Sequence, residues 1–439
     1  MNSLQGERKM QVSKKQIANI LFFTLLISSS LPYIYQAISV IFSGQYVLWT
    51  YDGATRTGGG LGSIIPYIKD ISCMLLFIVL PYCYPYRRNN IYLHFFSLIA
   101  WGTFILIFSS IAKGYSMNGM IQYLISGIRG YIFFVVSMSF CDRYFTVEES
   151  EHKLNSAALK IHNLVLLIQF VVSLLFILRS GSITNFGSGG MRIPGAFANS
   201  GTLGCYTISA AIFICVQYCA QKSIGKIMTI VQMICVTMLS FASGMRSAQL
   251  IVLMFVAIAF SNIMFDVAKI GKKHIFGFTL GMIGFSAPFA VSYILERTNR
   301  GSFGDSAVGR LDTVDLLLNQ KLLPLLFGNG LGVGTNAAVN FQTADARIFD
   351  GTLNTIVGQF GIIGLGILVF STLFVFNRLI RCSYPNQIIA YGICISVMLI
   401  FITGNFFEQF TMVIWIVVSA YLNMHRTEEE VDEWSNNLG

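Results

Sequence analysis

Charge is scarce in this chain. Only 11% of its 439 residues are charged while 54% are hydrophobic, and the mean hydropathy is +0.66. A soluble domain cannot stay dissolved with so little polar surface, so that class is excluded and a polytopic membrane protein is left. Histidine is also scarce. The five residues His94, His152, His162, His274 and His425 fall in apolar segments or in loops read below as cytoplasmic, which excludes an imidazole base on the other face. No Ser-His-Asp arrangement, Walker loop or HExxH pair is present. The nine cysteines lie mostly inside apolar segments (Cys73, Cys215, Cys219, Cys235 and Cys394 among them), so neither a disulfide framework nor a CxxC metal site is expected. GGGLGS at 58–63 is glycine-rich but follows no strand, which makes it a weak nucleotide signal. The two halves share no similarity, so the inverted repeat of many transporters is unsupported. The net charge of +9 is dispersed and does not point to nucleic acid.

What the chain does have is long apolar runs. Twelve fit spans of about 20 residues each: 17–43, 64–86, 91–111, 119–141, 158–179, 199–220, 225–243, 247–265, 275–295, 351–377, 387–404 and 406–424. The expected fold is therefore an all-α membrane domain covering 1–439. The N-terminus is basic and no small-residue cleavage site precedes the first run, so that run reads as a retained helix. Lys and Arg gather in short cytoplasmic loops. With the N-terminus inside, Arg8, Lys9, Lys14, Lys15, Arg87, Arg88, Arg143, Lys153, Lys222, Lys226, Lys269, Lys272, Lys273, Arg378, Arg381 and Arg426 all fall on the cytoplasmic side. The short outer loops carry single charges: Arg56, Lys113, Arg192 and Arg246. Both termini are expected in the cytoplasm, with 425–439 an acidic, flexible tail.

The same topology places one long polar interval, 296–350, outside. At its edges and within it stand Glu296, Arg297, Arg300, Asp305, Arg310, Asp312, Asp315, Asp345, Arg347 and Asp350. Leu311, Val314, Leu318 and Leu322 follow helical spacing, which predicts a short amphipathic helix at the membrane surface. FGNGLGVGTN then puts four glycines in ten residues, either a flexible turn or a close backbone approach to a ligand.

Arginines on the outer face run against the orientation rule. Arg192 and Arg246 precede the sixth and eighth spans, where free N–H groups of an outward helix end attract phosphate and a guanidinium adds a two-pronged donor. With Arg310 in the long loop, they predict a site for a lipid-linked diphosphate in the outer leaflet; a lone arginine there otherwise snorkels to headgroups. Arg129 lies inside the fourth span, where its charge must face a cavity or an acidic partner. Asp350, just before the tenth span, reads as a general base or as that helix's N-cap. Asn354, one turn on, could hold a sugar.

Four segments together resemble the bacterial O-antigen and exopolysaccharide polymerases and the related O-antigen ligases: MRIPGAFANSGTLGCY at 191–206, SFASGMRSAQL at 240–250, GRLDTVDLLLNQKLLPLLFGNGLGVG at 309–334 and DGTLNTIVGQFGIIGLG at 350–366. The resemblance covers roughly 180–377. It implies a metal-independent and cofactor-free glycosyltransferase of the GT-C-type all-helical membrane class, acting at the outer face of the bacterial cytoplasmic membrane. It implies that Arg192, Arg246 and Arg310 hold the diphosphate of an undecaprenyl-linked oligosaccharide, that Asp350 is catalytic, and that Arg297, Arg129 and Asn354 support the site. An acceptor hydroxyl would attack the anomeric carbon and invert it. Chain-length regulators and flippases are the protein partners that the family brings. Ligases of this superfamily carry a histidine where this chain has Asp350, which favours a polymerase; polymerases often show Asp-Asn there, and here Gly351 follows Asp350. A ligase moving finished glycan to another acceptor is the enzyme alternative, and a lipid-oligosaccharide flippase is the non-enzyme one.

Overall fold

The structure, a computed structural model, describes residues 2–43, 67–83, 90–144, 151–180, 192–197, 199–268, 313–335, 351–381 and 386–424. Arg297, Arg310, Asp350, the expected span 275–295 and the tail 425–439 lie outside them. Among the described residues every regular element is helical. The principal helices are α1 (Asn2–Ser30), α2 (Ile34–Ser43), α3 (Ile68–Cys83), α4 (Asn90–Lys113), α5 (Met117–Tyr144), α6 (Glu151–Ser180), α7 (Ser200–Cys215), α8 (Lys226–Ser243), α9 (Arg246–Ala268), α10 (Thr352–Ile380), α11 (Asn386–Thr403) and α12 (Phe410–Met424).

Nine described segments are long and apolar enough to cross a membrane, which makes this a multi-pass membrane protein. Helix is the form such segments must take, because hydrocarbon offers no partner for a free backbone N–H or C=O. Their hydroxyls follow the same rule and bond back to their own helix: Thr237 Oγ1 to Met233 O at 2.7 Å, Ser261 Oγ to Ala257 O at 2.6 Å and Ser396 Oγ to Gly392 O at 2.7 Å. The expected spans 64–86 and 406–424 are occupied by α3 and α12, of 16 and 15 residues. At 1.5 Å per residue these are about 24 and 22 Å long, shorter than a hydrocarbon core of about 30 Å.

The centre of the bundle is α7, extended by a π-helical turn at Val216–Ala220; no residue of its apolar window is exposed. It packs against α8, α9 and α12. Lipid tails are as apolar as leucine, so this burial draws on close packing, and the run Gly204, Cys205, Ser209, Ala210, Ala211 lets neighbours approach. His162 of α6 is a packing residue here, its ring 4.7 Å from Phe213 and 5.4 Å from Trp415. At one end of the bundle Gln217 donates to Asn155 Oδ1 at 2.6 Å, Gln221 donates to Leu422 O at 2.6 Å, and Arg378 faces the buried Asp142 at 3.4 Å.

The other end, called the loop end below, is irregular. The single amphipathic helix expected from Leu311 to Leu322 is not formed. Among the described residues helix covers 313–318 and Leu322–Phe327, with a turn at 319–321 between them. Pro324 supplies the reason: it has no N–H to give, so it suits the first turn of a new helix and not the interior of a long one. The apolar stripe differs too. Leu317 is buried, whereas Leu318 and Leu322 are exposed.

The glycine-rich run that follows is neither a loose turn nor an open cradle. It packs against the protein's own backbone. α10 is interrupted at Gly361, whose φ is +69°. The amide N–H of Asn329 donates to Gly358 O at 2.8 Å and that of Gly330 to Gln359 O at 3.0 Å, so the run satisfies carbonyls beside the interruption. Leu331 N–H reaches across to Gly102 O of α4 at 3.0 Å. Where the two chains cross, a Cβ on Gly328 would stand 2.2 Å from Gln359 O, and one on Gly361 would stand 2.2 Å from Leu326 O. Both positions also have positive φ, which glycine alone adopts without strain.

Candidate functional site

Arg192, Arg246, Asn354 and Arg129 fall among the described residues, and all four belong to the loop end. Arg192 does not precede its helix directly, as the sequence led one to expect. α7 starts at Ser200, and its N-cap is Asn199, whose side chain accepts from Thr202 N at 2.8 Å. The stretch 192–197 is instead an extended strap turned by Pro194 and Gly195. It is tied down by Ile193 N–H to Ala242 O at 2.9 Å, Tyr33 N–H to Ala196 O at 3.2 Å, and Ala196 N–H to Gln169 Oε1 at 2.9 Å. The strap lies against the last turn of α8, and Arg246 opens α9 just beyond it, after a left-handed Gly244. The two arginine-bearing segments are thus side by side. Arg246 alone of the pair stands at a helix N-terminus.

The start of α10 is fixed by the turn that joins α11 to α12. Thr352 N–H donates to Gly404 O at 2.9 Å, Thr352 Oγ1 accepts from Phe406 N at 2.7 Å, and Asn405 Nδ2 reaches Thr355 Oγ1 at 3.4 Å. The N-cap is Gly351, with φ +90° and no side-chain cap. Asp350, for which the sequence offers both a base and an N-cap reading, is the residue before that cap and lies outside the described residues. Asn354 lies in the first turn of α10 and is partly exposed. Glu408, in the short 3-10 turn Phe406–Glu408, brings a carboxylate to the same end.

Arg129 has an acidic partner, as a charge inside a span requires. Its guanidinium grips Asp70 through two hydrogen bonds, Nε to Oδ1 at 2.6 Å and Nη2 to Oδ2. Lys69 Nζ shares that carboxylate at 3.2 Å. The ring of Phe410 lies under both cations, 4.8 Å from Lys69 Nζ and 5.0 Å from Arg129 Cζ. Two residues further along α5, Tyr131 OH donates to Gln359 Oε1 at 3.3 Å, and its ring packs on Phe360 and Phe407. The charged cluster and the interrupted helix are therefore joined through a single turn of α5. Sequence reasoning missed Lys69, Asp70 and Glu408. The adjacent Lys-Asp at the head of an apolar segment was the available signal.

No family model matches the chain, and no curated protein matches it.

The loop end thus gathers guanidinium and ammonium groups with an aromatic floor and a helix N-terminus at Arg246, an arrangement that can hold anions and stabilise negative charge as it develops. Between α4, α5, α10, α11 and α12 runs a cleft lined by Phe95, Phe134, Met138, Leu368, Val397 and Ile416. Its walls are almost wholly apolar, so it can take hydrocarbon but offers little for chemistry.

Proposed function

We propose that this protein is a lipid-linked glycosyltransferase that polymerises oligosaccharide repeat units carried on undecaprenyl diphosphate. In this reading it is a twelve-span protein of the GT-C kind in the bacterial cytoplasmic membrane, both termini are cytoplasmic, and the loop end faces outward. Arg192 and Arg246, with Arg310 from the long loop, bind the diphosphate of the donor. Negative charge on the departing diphosphate grows as the glycosidic bond breaks, and fixed guanidinium donors in a water-poor site stabilise that growth more than they stabilise the ground state. Asp350 takes the proton of the attacking acceptor hydroxyl, and Asn354, Arg297 and Arg129 support the sugar or the site. The activated donor supplies the driving force, so no nucleotide is needed.

The observation that carries this reading is the bond between Ile193 N–H and Ala242 O, which lays the Arg192 strap beside the turn that presents Arg246. The test is reconstitution in liposomes with undecaprenyl-diphosphate-linked repeat units. A ladder of products spaced by one repeat, with release of undecaprenyl diphosphate, is the expected result. Absence of a ladder from folded protein with authentic substrate would sink the proposal and leave ligase and flippase activities to be assayed.

A further inference from the structure

α10 packs closely against α4 and α11. Toward α5 and α12 it stands off, and the apolar cleft described above is that gap. Along α10 the cleft runs from Leu368 to Arg378, ten residues or about 15 Å, half of a hydrocarbon core about 30 Å thick. Its length is therefore that of one leaflet. Aromatic rings close one end. Phe134 stands 4.9 Å from Phe95 and 6.1 Å from Phe406, and Phe406 stands 5.4 Å from both Phe401 and Phe407. Phe406 and Phe407 belong to the turn that fixes the start of α10, so this floor of rings lies between the cleft and the loop end. The other end carries Arg378, the one charged residue among the described residues that line the cleft. Its side chain is 42% exposed and reaches across the gap to the buried Asp142 of α5 at 3.4 Å, which is long for a bond between charged groups. Tyr421 OH donates to the same Asp142 oxygen at 3.3 Å. Arg381, one turn on from Arg378, is exposed at the end of α10. Thr372, Val375 and Phe376 are partly exposed along the cleft, so it is reached from the side of the bundle.

We propose that this cleft binds an anionic phospholipid, one acyl chain lying in the slot beside Leu368 and Val375 and the phosphate resting at Arg378 and Arg381. Apolar walls that face a gap forfeit dispersion contacts on that side, and in a bilayer the hydrocarbon chain of a lipid restores them. A chain that enters at Arg378 ends against the ring floor, so the depth of the slot and the thickness of a leaflet agree. Phosphate offers the Arg378 guanidinium a shorter, two-pronged partner than Asp142 does, and the second arginine adds to the attraction. A zwitterionic lipid fits the slot as well but carries no net charge for the arginines, so the headgroup decides which lipid stays. The site lies across the ring floor from Arg192 and Arg246 and does not rest on the polymerase reading.

The test uses the full-length protein in nanodiscs of phosphatidylcholine with a minor share of phosphatidylglycerol. The protein is ejected from them intact in a mass spectrometer, and the lipids it keeps are identified by mass. Wild-type protein is expected to keep one phosphatidylglycerol after the bulk lipid is stripped. Arg378→Gln is expected to lower retention of phosphatidylglycerol relative to phosphatidylcholine roughly five- to tenfold, the loss of one arginine's attraction. Ala420→Leu, which fills the slot, is expected to lower retention of both lipids. Should Arg378→Gln not accumulate because Asp142 is left buried without it, the pair Arg378→Gln with Asp142→Asn decides. Should Ala420→Leu not accumulate, Thr372→Leu, on the partly exposed side of the slot, takes its place. The proposal is overturned by a wild-type protein that keeps no lipid or keeps the two lipids alike. Folded variants that retain phosphatidylglycerol as wild type does overturn it as well. A wild-type protein released as a lipid-free dimer removes the lipid and gives the cleft to a second copy of the chain.

Discussion

α7 and α10 are both apolar enough to span a membrane, yet they do opposite things. α7 is a shaft, enclosed along its whole window, its small residues drawing α8, α9 and α12 close. α10 opens at Gly361, and only a third of its window is inside the protein. An opened helix leaves carbonyls that lipid cannot satisfy, so it survives only where other protein groups bond them. The amides of Asn329 and Gly330 do so here. The irregular, glycine-rich backbone of 328–335 therefore sits at the interruption and not along the shaft.

The contrast can be broken most directly at the crossing itself. Gly361→Val and Gly328→Val each force a branched side chain into positive φ and onto a carbonyl 2.2 Å away. A loss above about 3 kcal/mol is expected, seen as no monodisperse peak in fluorescence-detected size exclusion. Gly366→Ala, on the same helix with nothing within 4 Å of the added methyl, is the control and should stabilise by about 0.5–1 kcal/mol. Wild-type accumulation of Gly361→Val would mean that the interruption is not required. Next in size come Arg192→Ala and Arg246→Ala. If they hold the leaving diphosphate as proposed, each should slow polymer formation by roughly 10- to 100-fold while the protein stays folded and inserted. Normal chain length from both would separate the loop end's shape from the proposed activity.

Asn329→Ala is expected to have a smaller effect. Its side chain donates to Gly358 O and Gln320 Oε1, both at 3.2 Å, and accepts from Lys113 at 3.2 Å. Removing it should cost about 1–3 kcal/mol in thermal or denaturant unfolding. No change would show that the backbone amides alone hold the interruption. The smallest effect belongs to the shaft. His162→Phe, set between Phe213 and Trp415, should shift stability by less than about 1.5 kcal/mol, since an aromatic ring of similar volume replaces another. A larger loss would give the imidazole a polar role that its packing does not indicate.

Most of the helical framework was readable because a span needs only length and apolarity. The reading 225–243 differs from Lys226–Ser243 by one residue, and 119–141 falls within Met117–Tyr144. Arg246 at the head of its helix was readable for the same reason. The break of the loop helix was half-readable, since Pro324 marks where a continuous helix must end. Arg192 was misplaced because Asn199, a better cap, lay seven residues further on, while Pro194 and Gly195 turned the intervening chain into a strap.

The sequence by itself determined that the chain crosses a membrane many times, that its core is helical, and that a few arginines gather near span ends. These follow from local rules: hydropathy, segment length and charge bias act on neighbours in the chain. Only the tertiary structure decided that α10 opens at Gly361 and not at Gly364 or Gly366, that the glycine-rich run is the piece that fills the opening, and that Arg129 meets Asp70, 59 residues away, with Lys69 beside it. Each of those is a contact between segments far apart in sequence. Its energy comes from satisfying a carbonyl or a charge in a medium without water, and no local pattern names the distant group that will do it.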